Sequence, residues 1–96
     1  MNRKEKRAAR KESEVEVAGF LKTADKFIDL ANRENATVAA TRLHMAFLYA
    51  SARYSAFVGK TVMGIEEHEA FVEKMVAEYR DYLRQNLADE ALERPA

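Results

Sequence analysis

The strongest constraint on this chain is how little in it can stop a helix. Across 96 residues there are three glycines (Gly19, Gly59, Gly64) and one proline, Pro95, one residue from the end. Glycine and proline are the residues a helix interior tolerates least, at about 1 and about 3 kcal/mol relative to alanine. Seventeen alanines against two isoleucines push the same way, because strands draw on β-branched side chains. The expected fold class is all-α: a small antiparallel three-helix domain with a flexible basic N-terminal arm.

Charge and apolar spacing place the divisions. Residues 1–12 carry Arg3, Lys4, Lys6, Arg7, Arg10 and Lys11 against Glu5 and Glu12, a net of +4, and show no apolar stripe. They read as a solvated arm, either disordered coil or unsupported helix. Ser13 and Glu16 have the spacing of a capping box, in which hydroxyl and carboxylate satisfy two backbone donors at a helix start. The helical domain is therefore expected over 13–90, with 91–96 as a frayed C-terminus.

In the first helix Val17, Phe20, Leu21, Ala24, Phe27, Ile28 and Ala31 share one face, and Lys22, Asp25, Lys26, Asp29 and Arg33 occupy the opposite one. A break follows at Asn32 to Thr37, with Asn35 or Thr37 as the next N-cap. So short a connection implies an antiparallel hairpin. The second helix, about Ala36 to Val58, carries two apolar stripes. Leu43, Phe47, Ala50, Tyr54 and Phe57 belong to one; Met45, Leu48, Tyr49, Ala52 and Ala56 belong to the other. A helix apolar on two sides must be covered on two sides. Gly59 reads as its C-terminal stop, and Gly64 as part of the next turn. The third helix, about Ile65 to Leu87, opens on Glu66, Glu67 and Glu69, where the helix dipole favours carboxylates. Its broad stripe includes His68, Val72, Tyr79 and Leu83. The expected core is Phe20, Phe27, Leu43, Phe47, Phe57, Val72, Tyr79 and Leu83.

Several classes of function fall away at this level. The apolar fraction is 48%, the charged fraction 33%, and 16 basic residues cancel 16 acidic ones, which fits neither a disordered chain nor a supercharged nucleic-acid binder. With no cysteine there is no disulfide, thiolate nucleophile or cysteine-bound zinc. The longest run free of charged side chains is Leu43 to Ala52, far short of the roughly 20 residues a membrane span needs. No apolar segment follows the basic start, so export by a signal peptide is not expected. A cytoplasmic location without membrane association is expected.

The chemistry-bearing patterns are sparse. Gly59-Lys60-Thr61 matches the end of a phosphate-binding loop, but the glycine required five residues before Gly59 is replaced by Tyr54, and no strand precedes it. Neither HExxH nor Glu-x-x-His occurs, so no metal site and no cofactor are expected, and His68 reads as a structural residue of the third-helix stripe. His44 lies in a polar seam of the second helix and is expected to bond a neighbouring side chain. Arg42 and Arg53 lie on one side of that helix, and Tyr49 is four residues before Arg53, within reach of a cation–π contact. They face either an anionic partner or carboxylates of the third helix. No nucleophile and base pair emerges, and an enzyme is not expected.

Three segments carry a resemblance: Phe27-Ile28-Asp29-Leu30-Ala31-Asn32, then Leu48 to Phe57 (LYASARYSAF), then Tyr79-Arg80 with Leu83, Asn86 and Leu87. In this ordered set the chain resembles an uncharacterised proteobacterial family, domain of unknown function three-one-four-four. The resemblance implies a small bacterial helical protein and transfers no catalytic residue. The basic arm and the Gly59 to Gly64 linker depart from the family's usual pattern.

The function expected first is a non-enzymatic interaction or oligomerisation module, a homodimer formed through Met45, Leu48, Tyr49, Ala52, Arg53 and Ala56. Small side chains at 52 and 56 would let a second helix approach closely. The competing arrangement has the first and third helices straddling the second and burying both stripes within a monomer. The alternative function is a nucleic-acid contact through Arg3, Lys4, Lys6, Arg7, Arg10 and Lys11, although no aromatic residue is interleaved there for base stacking.

Overall fold

The structure is a computed structural model that describes residues 2–92. It contains three α-helices: α1 (Arg3–Glu34), α2 (Ala40–Thr61) and α3 (His68–Leu87), followed by a 3-10 turn at Glu90–Leu92. Among the described residues there is no strand. The all-α expectation holds. The chain divides into two compact units, Met1–Ser51 and Ala52–Ala96, and the division falls within α2.

In the first unit, α1 begins at Arg3 and not at Ser13. The capping box that starts it is built from Asn2 and Glu5. The Glu5 amide donates to Asn2 Oδ1 at 2.9 Å, and the Asn2 amide donates to Glu5 Oε2 at 3.2 Å. Alanine, lysine, arginine and glutamate fill the turns that follow, all good helix formers whose backbone bonds need no tertiary cover. The helix start expected at Ser13 therefore moves to Arg3, and the arm takes its helical form. The arm's side chains are solvated, as expected.

The end of α1 also differs from expectation. Asn35 caps the C-terminus of α1, its amide donating to the Ala31 carbonyl at 2.9 Å, and does not open α2. The Glu34 carbonyl accepts from the amides of Thr37 and Val38, both at 3.0 Å, and from the Thr37 hydroxyl at 3.4 Å. One acceptor thus tightens the whole connection. Thr37 serves the preceding helix, and α2 starts at Ala40, after the Ala39 carbonyl accepts from Arg42 and Leu43.

In the second unit α2 runs through Gly59 to Thr61, so Gly59 is not its stop. The Val58 carbonyl accepts from Val62 at 2.9 Å and Met63 at 3.0 Å, and the Gly59 carbonyl accepts from Ile65 at 3.0 Å. The reversal itself falls on Gly64, whose φ of 61° lies in the left-handed region that glycine enters without a Cβ penalty. Gly59 instead permits a close approach. A Cβ built on it would lie 3.0 Å from Phe71 Cε2 and 3.1 Å from Ile65 Cδ1. It is the one buried residue among the described residues. At the far end, the Asp89 carboxylate accepts from the Ala91 amide at 2.9 Å and shapes the 3-10 turn. The expected fraying over 91–96 falls largely on residues 93–96, which lie outside the described residues.

The expected core is not buried. Leu43 is partly covered, but Phe20, Phe27, Phe47, Phe57, Val72, Tyr79 and Leu83 are all exposed. No hydrophobic residue among the described residues is buried. Periodicity identifies the stripes that want cover and does not by itself supply it.

Candidate functional site

Helix α2 carries the candidate surface. At 100° per residue, Met45, Leu48, Tyr49, Ala52, Arg53 and Ala56 fall within an arc of about 140°. Met45, Leu48 and Tyr49 in the first unit are 53%, 38% and 68% exposed. Ala52, Arg53 and Ala56 in the second are also exposed. Continuous helical backbone from Ala40 to Thr61 sets the six in one register. Arg42 projects from the Arg53 side of the helix and is solvated too.

The opposite stripe was expected to be the covered one. Phe47 and Phe57 on it are nevertheless 39% and 58% exposed. Tyr54 and Phe57 stack on each other, ring centroids 6.3 Å apart and planes 28° from parallel. That contact lies three residues apart along one helix, so it orders the rings without removing them from water. Both sides of α2 therefore present apolar area.

The two histidines do not form a site. His68 is the first residue of α3 and is exposed, which overturns its assignment to a covered stripe. His44 is exposed on α2. No group of three or more His, Asp or Glu side chains is close enough to hold a metal ion among the described residues. Gly59, Lys60 and Thr61 lie in the last turn of α2, where the Thr61 hydroxyl donates to the Phe57 carbonyl at 2.6 Å. That geometry is a helix end and not a phosphate cradle. Among the described residues no helix is long and apolar enough to cross a membrane.

Helix formation through residues 3–12 gives the basic run a shape that composition does not show. Arg3, Lys4, Lys6, Arg7, Arg10 and Lys11 fall within an arc of about 160°, with Glu5 and Glu12 on the opposite side. All eight are exposed. The run is a one-sided basic face. Two features thus escaped the sequence reading, this face and the closure of Ile65 and Phe71 over Gly59. The Asn2-x-x-Glu5 spacing was the available signal for the first; nothing in the sequence pairs Gly59 with Phe71.

The family described as a protein of unknown function (DUF3144) matches residues 20–91, three quarters of the chain. The basic face lies before that match. No curated protein and no solved structure matches the chain.

Proposed function

Because the chain belongs to this family of unknown function, we propose that it is a non-enzymatic, cytoplasmic interaction module of a bacterium, a homodimer formed through α2. The observation that carries this reading is the exposure of apolar side chains on both faces of one helix, Met45, Leu48 and Tyr49 on one and Phe47 and Phe57 on the other. Contiguous exposed apolar surface of this kind marks a partner surface. Two-fold pairing is the commonest symmetric solution, and it lets one surface serve as both donor and acceptor of contacts. Ala52 and Ala56 allow close backbone approach, and Arg42 and Arg53 rim the contact, available to carboxylates of a second copy's α3. Antiparallel pairing of the three helices is part of the same reading.

Light scattering at micromolar concentration tests it. The native chain should show twice the single-chain mass, and Leu48→Glu or Ala52→Glu should weaken the dimer by a hundredfold or more, about 3 kcal/mol, because each buries an unpaired charge. A single-chain mass for the native protein, or a dimer indifferent to both substitutions, refutes the α2 interface.

A second reading rests on the basic face of α1. Six cations on one side of a helix can displace counterions from a nucleic-acid backbone. That reading requires binding to short duplexes that weakens steeply with salt and disappears on removal of residues 1–12. Without that dependence the face is a solvated end.

A further inference from the structure

Resting on the second reading above, we infer that the basic face of α1 is a seat for the phosphate backbone of duplex DNA, blind to base sequence and dependent on the helical form of residues 3–11. The first ground is charge spacing. Arg3, Lys4, Lys6, Arg7, Arg10 and Lys11 all lie on α1, so their spacing follows from that one helix. From residue 3 to residue 11 a helix rises about 12 Å, which sets one cation about every 2 Å along its axis. Duplex DNA presents one negative charge about every 1.7 Å. The two rows match. In extended chain the same cations would spread over about 26 Å, far more sparsely than the phosphates. Glu14, one turn beyond Arg10 and Lys11 on the same side, ends the face.

The second ground is that the row is set before a partner arrives. The Glu5 amide donates to Asn2 Oδ1 and the Asn2 amide donates to Glu5 Oε2, so Arg3 and Lys4 are helical from the first turn. Cations already in register lose less conformational freedom on docking than a coil would.

The third ground selects the occupant. Between residues 3 and 11 there is no Asn, Gln, Ser, Thr or aromatic residue. Single strands are held largely by stacking on aromatic rings, which this face does not offer. A helix lying on a lipid surface buries bulky apolar side chains on its back. The back here holds Glu5, Ala8, Ala9 and Glu12. What remains is a regular polyanion recognised by charge, and duplex DNA has the spacing that fits.

Titration of the full chain against labelled DNA duplexes of unrelated sequence, at salt from about 50 to about 200 mM, tests this. Six phosphate contacts give log affinity against log salt a slope of about −5. The decisive variant exchanges residues 7 with 9 and 10 with 12: Arg7→Ala, Ala9→Arg, Arg10→Glu and Glu12→Arg together. Composition and net charge stay the same and every new residue is a good helix former, but two cations leave the face. The slope should fall to about −4 or shallower, and the affinity at about 0.1 M salt should drop by about fiftyfold or more. If the exchanged chain binds as the native one does, nucleic-acid binding stands and the helical face is not its seat. If the native chain binds no duplex at low salt, both fall. A clear preference for one duplex sequence overturns recognition through the backbone alone. Equal or tighter binding to a single strand, to an RNA duplex of the same length or to vesicles rich in anionic lipid overturns duplex DNA as the occupant.

Discussion

Two glycines inside helices of this chain have opposite surroundings. Around Gly59, near the end of α2, the Ile65 and Phe71 side chains come so close that an added Cβ would meet them at 3.0 to 3.1 Å. Around Gly19, in α1, nothing lies within 4 Å of the same added atom. Both positions are helical and both sit near apolar residues. What separates them is the distance along the chain to the covering group. The tight turn through Gly64 returns Ile65 and Phe71 to Gly59 within a dozen residues, whereas Phe20 and Phe27 are 58% and 56% exposed. Short-range closure is built into the chain itself.

The largest effect should come from the uncovered side of this comparison. Phe47→Ala removes an aromatic ring that is 39% exposed in the single chain. If assembly completes the core, the substitution should cost about 3 to 5 kcal/mol in the unfolding of the assembled protein, the value for a core phenylalanine. Chemical denaturation at fixed protein concentration measures it. A loss below about 1 kcal/mol would mean that the ring stays wet, and the contrast between covered Gly59 and uncovered stripes would then be permanent.

The two glycines themselves sharpen the contrast through opposite signs. Alanine gains about 1 kcal/mol over glycine in a helix interior. At Gly19 the added methyl meets open space, so Gly19→Ala should stabilise by up to that amount. At Gly59 the same gain is opposed by crowding against Phe71 and Ile65, and overpacking costs about 1 to 3 kcal/mol. Gly59→Ala should therefore destabilise by about 1 kcal/mol. Paired denaturation curves decide the point, and equal shifts of the same sign would show that the closure over Gly59 yields without cost.

These contrasts also show what could be read before the structure. The number and class of the elements follow from scarce breakers and plentiful alanine, and α3 ends at Leu87 where its stripe ends. The six α2 residues share a face because spacing alone decides it. Gly59 was misread because a glycine's role depends on what approaches it, and Phe71 approaches from another helix. His68 was misread because the stripe it extends belongs to a helix that only begins there. The expected core failed for the same physical reason in each residue: amphipathic spacing states a demand for burial and carries no information about which chain meets it.

The smallest expected effect concerns the start of α1, where the capping box of Asn2 and Glu5 turns a basic run into a one-sided face. Asn2→Ala removes the acceptor of the Glu5 amide. Loss of an N-cap costs about 1 kcal/mol. Residues 3–12 are exposed, so this cost should open the first turns of α1 and leave the global unfolding midpoint nearly unmoved. Amide hydrogen exchange reads both quantities, with faster exchange expected at the first residues of α1 and no change in α2 or α3. A matching shift in global stability would mean that the basic face is packed within the assembly. It would then join the covered regions of the molecule, and the solvated face required for nucleic-acid contact would be lost.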